Sequence, residues 1–584
     1  MIHIKITLLA FFCALIMQLS GCATYGTGVE KALQYAQKGQ YLEAEQSMAS
    51  ALKSTGSDRL LYYMELAVLK HLQGQYLESN QLLDTAEKIA ERLEVTSVSN
   101  SIAAFMTNPR NGDYNGADFE KVFINYYKTL NYMAISNGAA TPNKRLDAIE
   151  NARIESRRLG IRLNALNSDK GTYTEQQNED DQLFSQILDV FRTLRGNQID
   201  DDALAYRDDA MAHYLTGITY ETNGEYDNAR ISYQKAATSY EQGYAEQFDL
   251  GSAMTSQAWF DTVRMMRLAG GYNNEWPRLA KDKLSLSQRQ QLAEYDDKSQ
   301  LVVIEHLGMV PQRKEMNVQL FADAAHRSLI LRPYYSSLKS HREKLAWFYL
   351  VYADKSLANL MIHYRNYDFT NFILNDFQQT IYLAGAWDAI TELGFVKAIG
   401  EGLRITVPYY SPPKNKPGAS FATVAGKKYP MKSAASPAIM GLNEQLLSAN
   451  KDIKLALARG VFKALAAQKA AELISGDTGS ELTSLLATVG KVTSQLSDAA
   501  ETRNWLMLPH EVRITRIPLE AGSYEIEMNS AVLAGKPWVT QRQQIILQEN
   551  ELQVVQVRSM PYIKKVTVLP TENKTKKSIA LIEQ

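Results

Sequence analysis

The sequence predicts a mainly α-helical protein, in which an amino-terminal array of helical repeats is followed by an α+β domain with a small antiparallel sheet. Two observations predict this division. A fifteen-residue pattern recurs in the first half of the chain at a spacing of 35 residues. Beyond about residue 300, apolar runs with alternating character indicate β-strands. The length of 584 residues allows roughly three or four domains.

The repeats read KGQYLEAEQSMASAL at 38–52, QGQYLESNQLLDTAE at 73–87 and NGEYDNARISYQKAA at 223–237. They resemble the tetratricopeptide repeat (TPR), a helix–turn–helix unit with a period of about 34 residues. The likeness depends on turn glycines and on small residues where two helices cross closely. These residues are Gly39, Gly74 and Gly224 in the turns, Ala32, Ala67 and Gly217 on the first helices, and Ala44, Ser79, Ala229, Ala51, Ala86 and Ala236 on the second. The alternative is a set of generic helical hairpins.

Less regular helices complete the predicted array, which covers residues 22–295. Residues 119–137 have the apolar periodicity of one helical face, formed by Phe119, Phe123, Tyr126, Leu130 and Met133. The remaining predicted segments are a second helix at about 145–166, a loop at 167–182, an amphipathic helix at 183–194 and a degenerate repeat at 258–275.

The α+β domain is predicted over residues 296–570, with a helical insertion at about 325–402 and a flexible tail at 571–584. Its predicted strands are 300–311, 316–321 and 404–410, and residues 443–500 are predicted to be helical. Near the end, EVRITRIPL (511–519) and SYEIEM (523–528) are predicted to pair across EAG. RQQIILQ (542–548) and LQVVQVRSM (552–560) are predicted to pair across ENE.

Residues 1–21 are typical of a bacterial lipoprotein signal peptide. Lys5 precedes ITLLAFFCALIMQ, an apolar run of thirteen residues that is too short to span a membrane. The sequence LSGC at 19–22 then resembles a lipobox, in which Cys22 becomes the acylated first residue. Because more than one acyl chain anchors a protein durably, this predicts a membrane anchor. Ala23 favours the outer membrane of a Gram-negative bacterium, and the alternative is an ordinary signal peptide with a chance cysteine.

The order of these parts resembles an uncharacterised family of Gram-negative outer-membrane lipoproteins that contain TPR units. The most specific point of likeness is TRNW at 502–505, followed by Leu508 and Pro509. The resemblance covers most of the chain and weakens over 325–400. It implies no catalytic residue, but it suggests that Trp505 and Pro509 fix the approach to the sheet. The alternative for these two residues is an ordinary core tryptophan and a strand-entry proline.

Charge and motifs give no support for nucleic-acid binding or for a recognisable class of enzyme. The chain carries 63 Lys and Arg against 64 Asp and Glu, so no basic surface is expected. Its eight histidines lack the zinc-protease spacing, and neither G-x-S-x-G nor a phosphate loop occurs. SSLK at 336–339 has no partner motifs, and the acidic runs at 178–181 and 200–202 lack calcium-loop spacing. The sequence predicts no cofactor and no metal site.

A TPR array curves so that the side chains of its first helices line a concave groove, where peptides or partner helices bind. The predicted groove positions are Leu61, Met64, Val68, His71, Met211, Tyr214, Ile218, Glu221 and Thr222. The alternative is that these side chains pack against the less regular helices and leave no open groove.

These features favour a periplasm-facing, lipid-anchored scaffold or adaptor that binds a protein partner in envelope assembly. The process is wall synthesis, secretion or the assembly of a surface appendage. The alternative is a hydrolase or lytic enzyme that acts on the cell wall, because paired carboxylates for glycan cleavage come together only in the fold.

Overall fold

The computed structural model describes most of the chain between Tyr25 and Val568. The predicted signal peptide, Cys22, the helix at 183–194 and the tail at 571–584 lie outside the described residues. Helices predominate over strands, which confirms the mainly helical class. The described residues are 25–96, 109–168, 206, 208–296, 298–334, 342–348, 351, 378–383, 387–392, 394–410, 417–475, 499–532, 538–561 and 566–568.

The first half is built from helices that pack in neighbouring pairs, as the sequence predicts. The pairs are α1 with α2, α3 with α4, α5 with α6 and α7 with α8. A 3-10 turn at Pro109–Asn111 and a π-helical turn at Tyr240–Tyr244 lie between helices. The helices are α1 (Tyr25–Gln37), α2 (Tyr41–Ala51), α3 (Arg59–Leu72), α4 (Tyr76–Thr96), α5 (Asp118–Asn137), α6 (Pro142–Ser168), α7 (Ala210–Thr222), α8 (Tyr226–Ser239), α9 (Ala245–Gln247), α10 (Ala253–Ala269), α11 (Trp276–Lys283) and α12 (Leu286–Asp296).

Glycines form the turns inside three of these pairs. Gly39, Gly74 and Gly224 have φ angles of 76°, 75° and 74°, a region that side-chain-bearing residues avoid. The small residues predicted at the helix crossings are buried, except Ala51, which is exposed at the end of α2. A Cβ added to Gly217 would lie 2.6 Å from the ring of Tyr233 on the paired helix. The close approach of the helices therefore requires the small residue.

Strands dominate the second half and form three sheets. The central sheet has the order β12-β1-β9-β8, the outer sheet β13-β11-β10-β6-β7 and the third sheet β4-β3-β2-β5. The strands are β1 (Ser299–Leu307), β2 (Arg313–Asp323), β3 (Ser328–Pro333), β4 (Gln379–Tyr382), β5 (Leu403–Tyr410), β6 (Ser420–Val424), β7 (Lys427–Pro430), β8 (Lys432–Ala435), β9 (Glu511–Leu519), β10 (Gly522–Ser530), β11 (Val539–Leu547), β12 (Leu552–Ser559) and β13 (Val566–Val568).

The central sheet is the middle layer of the protein. Val302 and Ile304 on β1 belong to the core shared with the helices, whereas Leu301 and Val303 face the outer sheet. Every residue of β1 is buried. A strand that is covered on both faces is apolar on both faces, which explains the run LVVI within QLVVIEHL.

The predicted strands near the end exist, but both predicted strand pairs are wrong. β9 pairs with β1 and β8 in the central sheet, whereas β10 pairs with β11 and β6 in the outer sheet. β12 likewise leaves β11 and pairs in parallel with β1. The chain crosses from one sheet to the other after β9 and again after β11, because the two sheets share a core that each strand face must fill.

Within the predicted helical insertion at 325–402, the described residues form three short helices and also β3 and β4, two strands of the third sheet. Strands β6, β7 and β8 were not predicted. The long helix begins at Pro437 rather than at residue 443, and it packs on β5 of the third sheet. The helices of this half are α13 (Arg342–Trp347), α14 (Trp387–Glu392), α15 (Phe395–Ile399) and α16 (Pro437–Ser475).

Candidate functional site

The predicted groove positions lie on α3 and α7, on the inner face that the helices turn toward the central sheet. All of them are buried except Thr222, which is partly exposed. The nine positions are Leu61, Met64, Val68, His71, Met211, Tyr214, Ile218, Glu221 and Thr222. The apolar members belong to one core that includes residues of β1, β9 and β12. The inner face is therefore covered by the second half of the same chain.

Residues 501–508, the inserted segment, lie against this inner face without forming a helix or a strand. The Glu65 carboxylate on α3 accepts the Leu506 and Met507 backbone N–H groups at 2.7 and 2.9 Å. The Glu120 carboxylate on α5 accepts the Trp505 N–H at 2.8 Å. When such an N–H group is buried, its hydrogen bond to a carboxylate offsets the free energy of the hydrogen bond to water that it loses. Two inward-facing glutamates thus hold the backbone of the inserted segment.

Arg503 fixes the start of the inserted segment. Its guanidinium pairs with Asp58 at 3.0 Å and also bonds to Glu501. Its remaining N–H groups donate to three backbone carbonyls, those of Ser57, Pro109 and Gly112, at 3.0–3.2 Å. The TRNW sequence therefore joins the two halves of the protein.

Trp505 is fully buried, with its ring centroid 6.0 Å from that of Tyr127. The segment ends where Pro509 and His510 lead into β9. This placement agrees with the predicted role of Trp505 and Pro509 in the approach to the sheet, and equally with an ordinary core tryptophan and strand-entry proline.

A carboxylate–arginine network, made of Glu221, Asp261, Arg264 and Arg516, lies further along the inner face. Arg516 on β9 donates to both oxygens of Glu221 at 3.0 Å. Arg264 on α10 donates to Glu221 at 2.5 Å and to Asp261 at 3.2 Å. Burial alone would raise the pKa of the Glu221 and Asp261 carboxyls, but the charges of the two arginines hold both values below the ordinary range.

An imidazole–phenol cluster, made of His71, His306, Tyr41, Tyr126, Tyr127 and the side chain of Arg558, lies between α3, α5 and the central sheet. His71 Nδ1 bonds to Asn131 Oδ1 at 2.6 Å, and His306 Nε2 bonds to the Tyr126 hydroxyl at 2.9 Å. The two imidazole centroids are 6.2 Å apart. Burial lowers the pKa of His71 to about 4 and lowers that of His306 well below its ordinary value. Both rings are therefore neutral at pH 7.

The outer face of the array is different, because it exposes apolar side chains on the second helix of each pair. Leu42 and Leu77 occupy equivalent positions in the first two repeats and are 55% and 60% exposed. Three more lie along α6, and we call them the outer row: Leu146, Ile154 and Ile161. The separations of eight and seven residues place the outer row within one side of the helix.

Sequence analysis did not select Glu65, Glu120, Arg516 or Arg558, and it noted Arg503 only as part of the TRNW sequence. A signal was present for the two glutamates, because each interrupts an apolar helical face, in YYMELAV and in FEKVF. A charged residue at such a position is buried only if it is paired or hydrogen-bonded. The partners come from more than 380 residues further along the chain, which no local pattern indicates.

In the part of the chain that the structure describes, no group of three His, Cys, Asp or Glu side chains is placed to hold a metal ion. Nor is any helix in those ranges both long and apolar enough to cross a bilayer. Comparison with protein-family models, with curated proteins and with solved structures found no match for this chain. The resemblance to a lipoprotein family therefore stays a prediction.

Proposed function

We propose that this protein is a lipid-anchored, periplasm-facing adaptor of the outer membrane, which holds a protein partner on the outer face of a TPR-like array. The anchor is assigned to Cys22 on the strength of the apolar run and the LSGC sequence before it. The glycine turns of three helix pairs, and the buried small residues at their crossings, support the TPR-like assignment.

The observation that carries the binding proposal is the contrast between the two faces of the array. The inner face, where TPR arrays bind their ligands, is covered by the inserted segment and the central sheet. Single exposed leucines are common on protein surfaces and need no explanation. The outer row differs because its three side chains are aligned along one helix.

The partner segment that fits the outer row is an amphipathic helix lying along α6. Spacings of seven and eight residues repeat the interval at which one helix presents apolar side chains to another. The exposed surface beside the row carries Asp147, Arg157 and Arg158, so both signs of charge border it. A helix with an apolar stripe and mixed flanking charges complements this surface.

The experiment compares the wild-type protein, purified with its anchor from native membranes, with the variant Leu146→Gln/Ile154→Gln/Ile161→Gln. Exposed substitutions of this kind change stability little, about 0.5 kcal/mol or less each. We expect a stoichiometric partner to co-purify with the wild type and to be lost from the variant. Leu286→Gln is the matched control, because Leu286 is 64% exposed but lies on α12. Equal recovery of the partner with all three proteins would contradict the proposal.

Two further measurements test the rest of the proposal. Cys22→Ser should leave the precursor unprocessed and outside the outer-membrane fraction, and normal fractionation of that variant would refute the anchor. Purified protein incubated with wall sacculi should release no soluble fragments. Release of such fragments would favour the wall hydrolase instead.

A further inference from the structure

The strongest unexplained feature of the protein is the environment of Arg558 on β12. Arg558 is only 6% exposed and lies between the helices and the central sheet. One guanidinium nitrogen, Nη2, donates to the Met507 carbonyl at 3.0 Å. The other two, Nε and Nη1, bond to no protein atom. Within the described residues Arg558 forms no ion pair.

The hydroxyl groups that surround Arg558 are uncharged. Burial lowers the pKa of Arg558, and the groups that oppose this effect are the hydroxyls of Tyr127, Tyr41 and Tyr126. Burial raises the pKa of Tyr41 and Tyr127 to about 12, so both are neutral. Glu65 is the nearby acid, and its carboxylate oxygens accept the Leu506 and Met507 amides at 2.7 and 2.9 Å.

A guanidinium in this position is costly unless something neutralises it. Removing an ion from water costs several kcal/mol, which a partner of opposite charge must offset. The histidines cannot share the charge, because Arg558 itself contributes to the low pKa of both His71 and His306. The Tyr127 hydroxyl lies beside the guanidinium and interacts with it, but the phenol proton has no protein acceptor. Among the described residues, two guanidinium nitrogens and a phenol O–H therefore have no acceptor for their protons in this buried region.

We propose that Arg558 and Tyr127 bind a small inorganic anion, of the size of chloride, at the contact between the helices and the central sheet. Such an anion neutralises the guanidinium and accepts hydrogen bonds from the N–H groups and the phenol. Because Met507, which bonds to Arg558, belongs to the inserted segment, the anion also stabilises the covering of the inner face. This inference does not depend on the proposed adaptor function.

The test measures unfolding by urea at pH 7.5 while sodium bromide or chloride replaces sodium gluconate at constant ionic strength. Gluconate is too bulky to enter a packed interior. An anion that binds only the folded protein raises the folding equilibrium constant about ten-fold for each ten-fold rise in its concentration above Kd. We expect this dependence in the wild type, its loss in Arg558→Met, and a higher Kd in Tyr127→Phe.

Arg542→Met is the matched control for general salt effects, because Arg542 is an exposed arginine with a side chain 49% accessible. It should retain the halide dependence of the wild type. A wild type without halide dependence, or an Arg558→Met variant that keeps it, would overturn the proposal. If Arg558→Met does not fold, crystals grown in bromide decide the question by anomalous diffraction. A bromide peak beside Arg558 supports the site, and its absence refutes it.

Discussion

Arg516 and Arg558 occupy similar positions but have opposite surroundings. Each lies on a strand that flanks β1 in the central sheet, and each points toward the helices. Arg516 meets Glu221 and Asp261, both within ion-pair distance. Arg558 meets imidazoles, phenols and one carbonyl. The comparison shows that the sheet buries positive charge at two places, and that among the described residues an ion pair with the helices forms at only one.

The largest expected effect comes from removing each arginine in turn. Arg516→Met leaves Glu221 and Asp261 buried with Arg264 alone, so the free energy of unfolding should fall by about 3–5 kcal/mol. Arg558→Met removes an unpaired buried charge, so in gluconate it should be neutral or stabilising. Urea unfolding at pH 7.5 measures both. Equal losses in the two variants would show that the surroundings of the two arginines are equivalent in energy.

The pH dependence of stability also distinguishes the imidazole–phenol cluster from the carboxylate–arginine network. The folded-state pKa of His71 is about 4, below the unfolded value of about 6.5, so the unfolded chain takes up the proton first as the pH falls. The contribution of neutral His71 to the free energy of unfolding is complete above pH 6.5. It is lost between pH 6.5 and 4, which lowers the free energy of unfolding by about 3 kcal/mol. The groups that face His71 are Asn131 and Tyr127 on α5, Tyr76 on α4, His306 on β1 and Arg558 on β12.

The carboxylate–arginine network responds in a lower range of pH. The pKa values of Glu221 and Asp261 are already held low, so their contribution is lost only below about pH 4.5. Between pH 7.5 and 5.0 this network therefore contributes no change in the urea midpoint, whereas His71 does. We expect a drop in the wild type and a smaller drop in His71→Gln, whereas His326→Gln, which removes an exposed histidine, should behave as the wild type does. A wild-type midpoint that is unchanged at pH 5.0 would show that the imidazoles are accessible to protons in the folded state.

The close packing of α7 on α8 lies behind the carboxylate–arginine network and depends on Gly217. Gly217→Ala places a methyl group 2.6 Å from the ring of Tyr233, whose hydroxyl bonds to Glu221 and accepts from Arg516. Overpacking of this kind costs about 1–3 kcal/mol. Gly28→Ala is the control, because Gly28 lies on α1 with nothing within 4 Å of its added Cβ. We expect it to stabilise the protein by about 0.5–1 kcal/mol. A similar thermal stability for both variants would contradict the close helix crossing at Gly217.

The sequence predicts the helix pairs well, because turn glycines and small crossing residues are local signals. Individual strands such as β9 and β10 were also predictable from alternation. Their partners were not, since alternation shows which side chains are buried but not which of two stacked sheets a strand joins. Met64 and Tyr214 were predicted to line a groove, and the structure buries both on the inner face. What covers it could not be predicted, because Leu506 follows Glu65 by 441 residues.

The smallest expected effect, that of Leu77→Gln, belongs to a comparison of the two faces of one helix pair. Leu61 on α3 is fully buried, whereas Leu77 on α4 is 60% exposed. Leu61→Ala should cost about 2–5 kcal/mol through the lost contacts and the cavity, and Leu77→Gln should change the free energy of unfolding by less than about 0.5 kcal/mol. Urea unfolding of both variants measures the difference. If the inner face were an open groove, Leu61→Ala would cost little and the two values would approach each other. A large cost for Leu61→Ala alone therefore places the inner face in the core and leaves the outer face of this helix pair accessible to a partner.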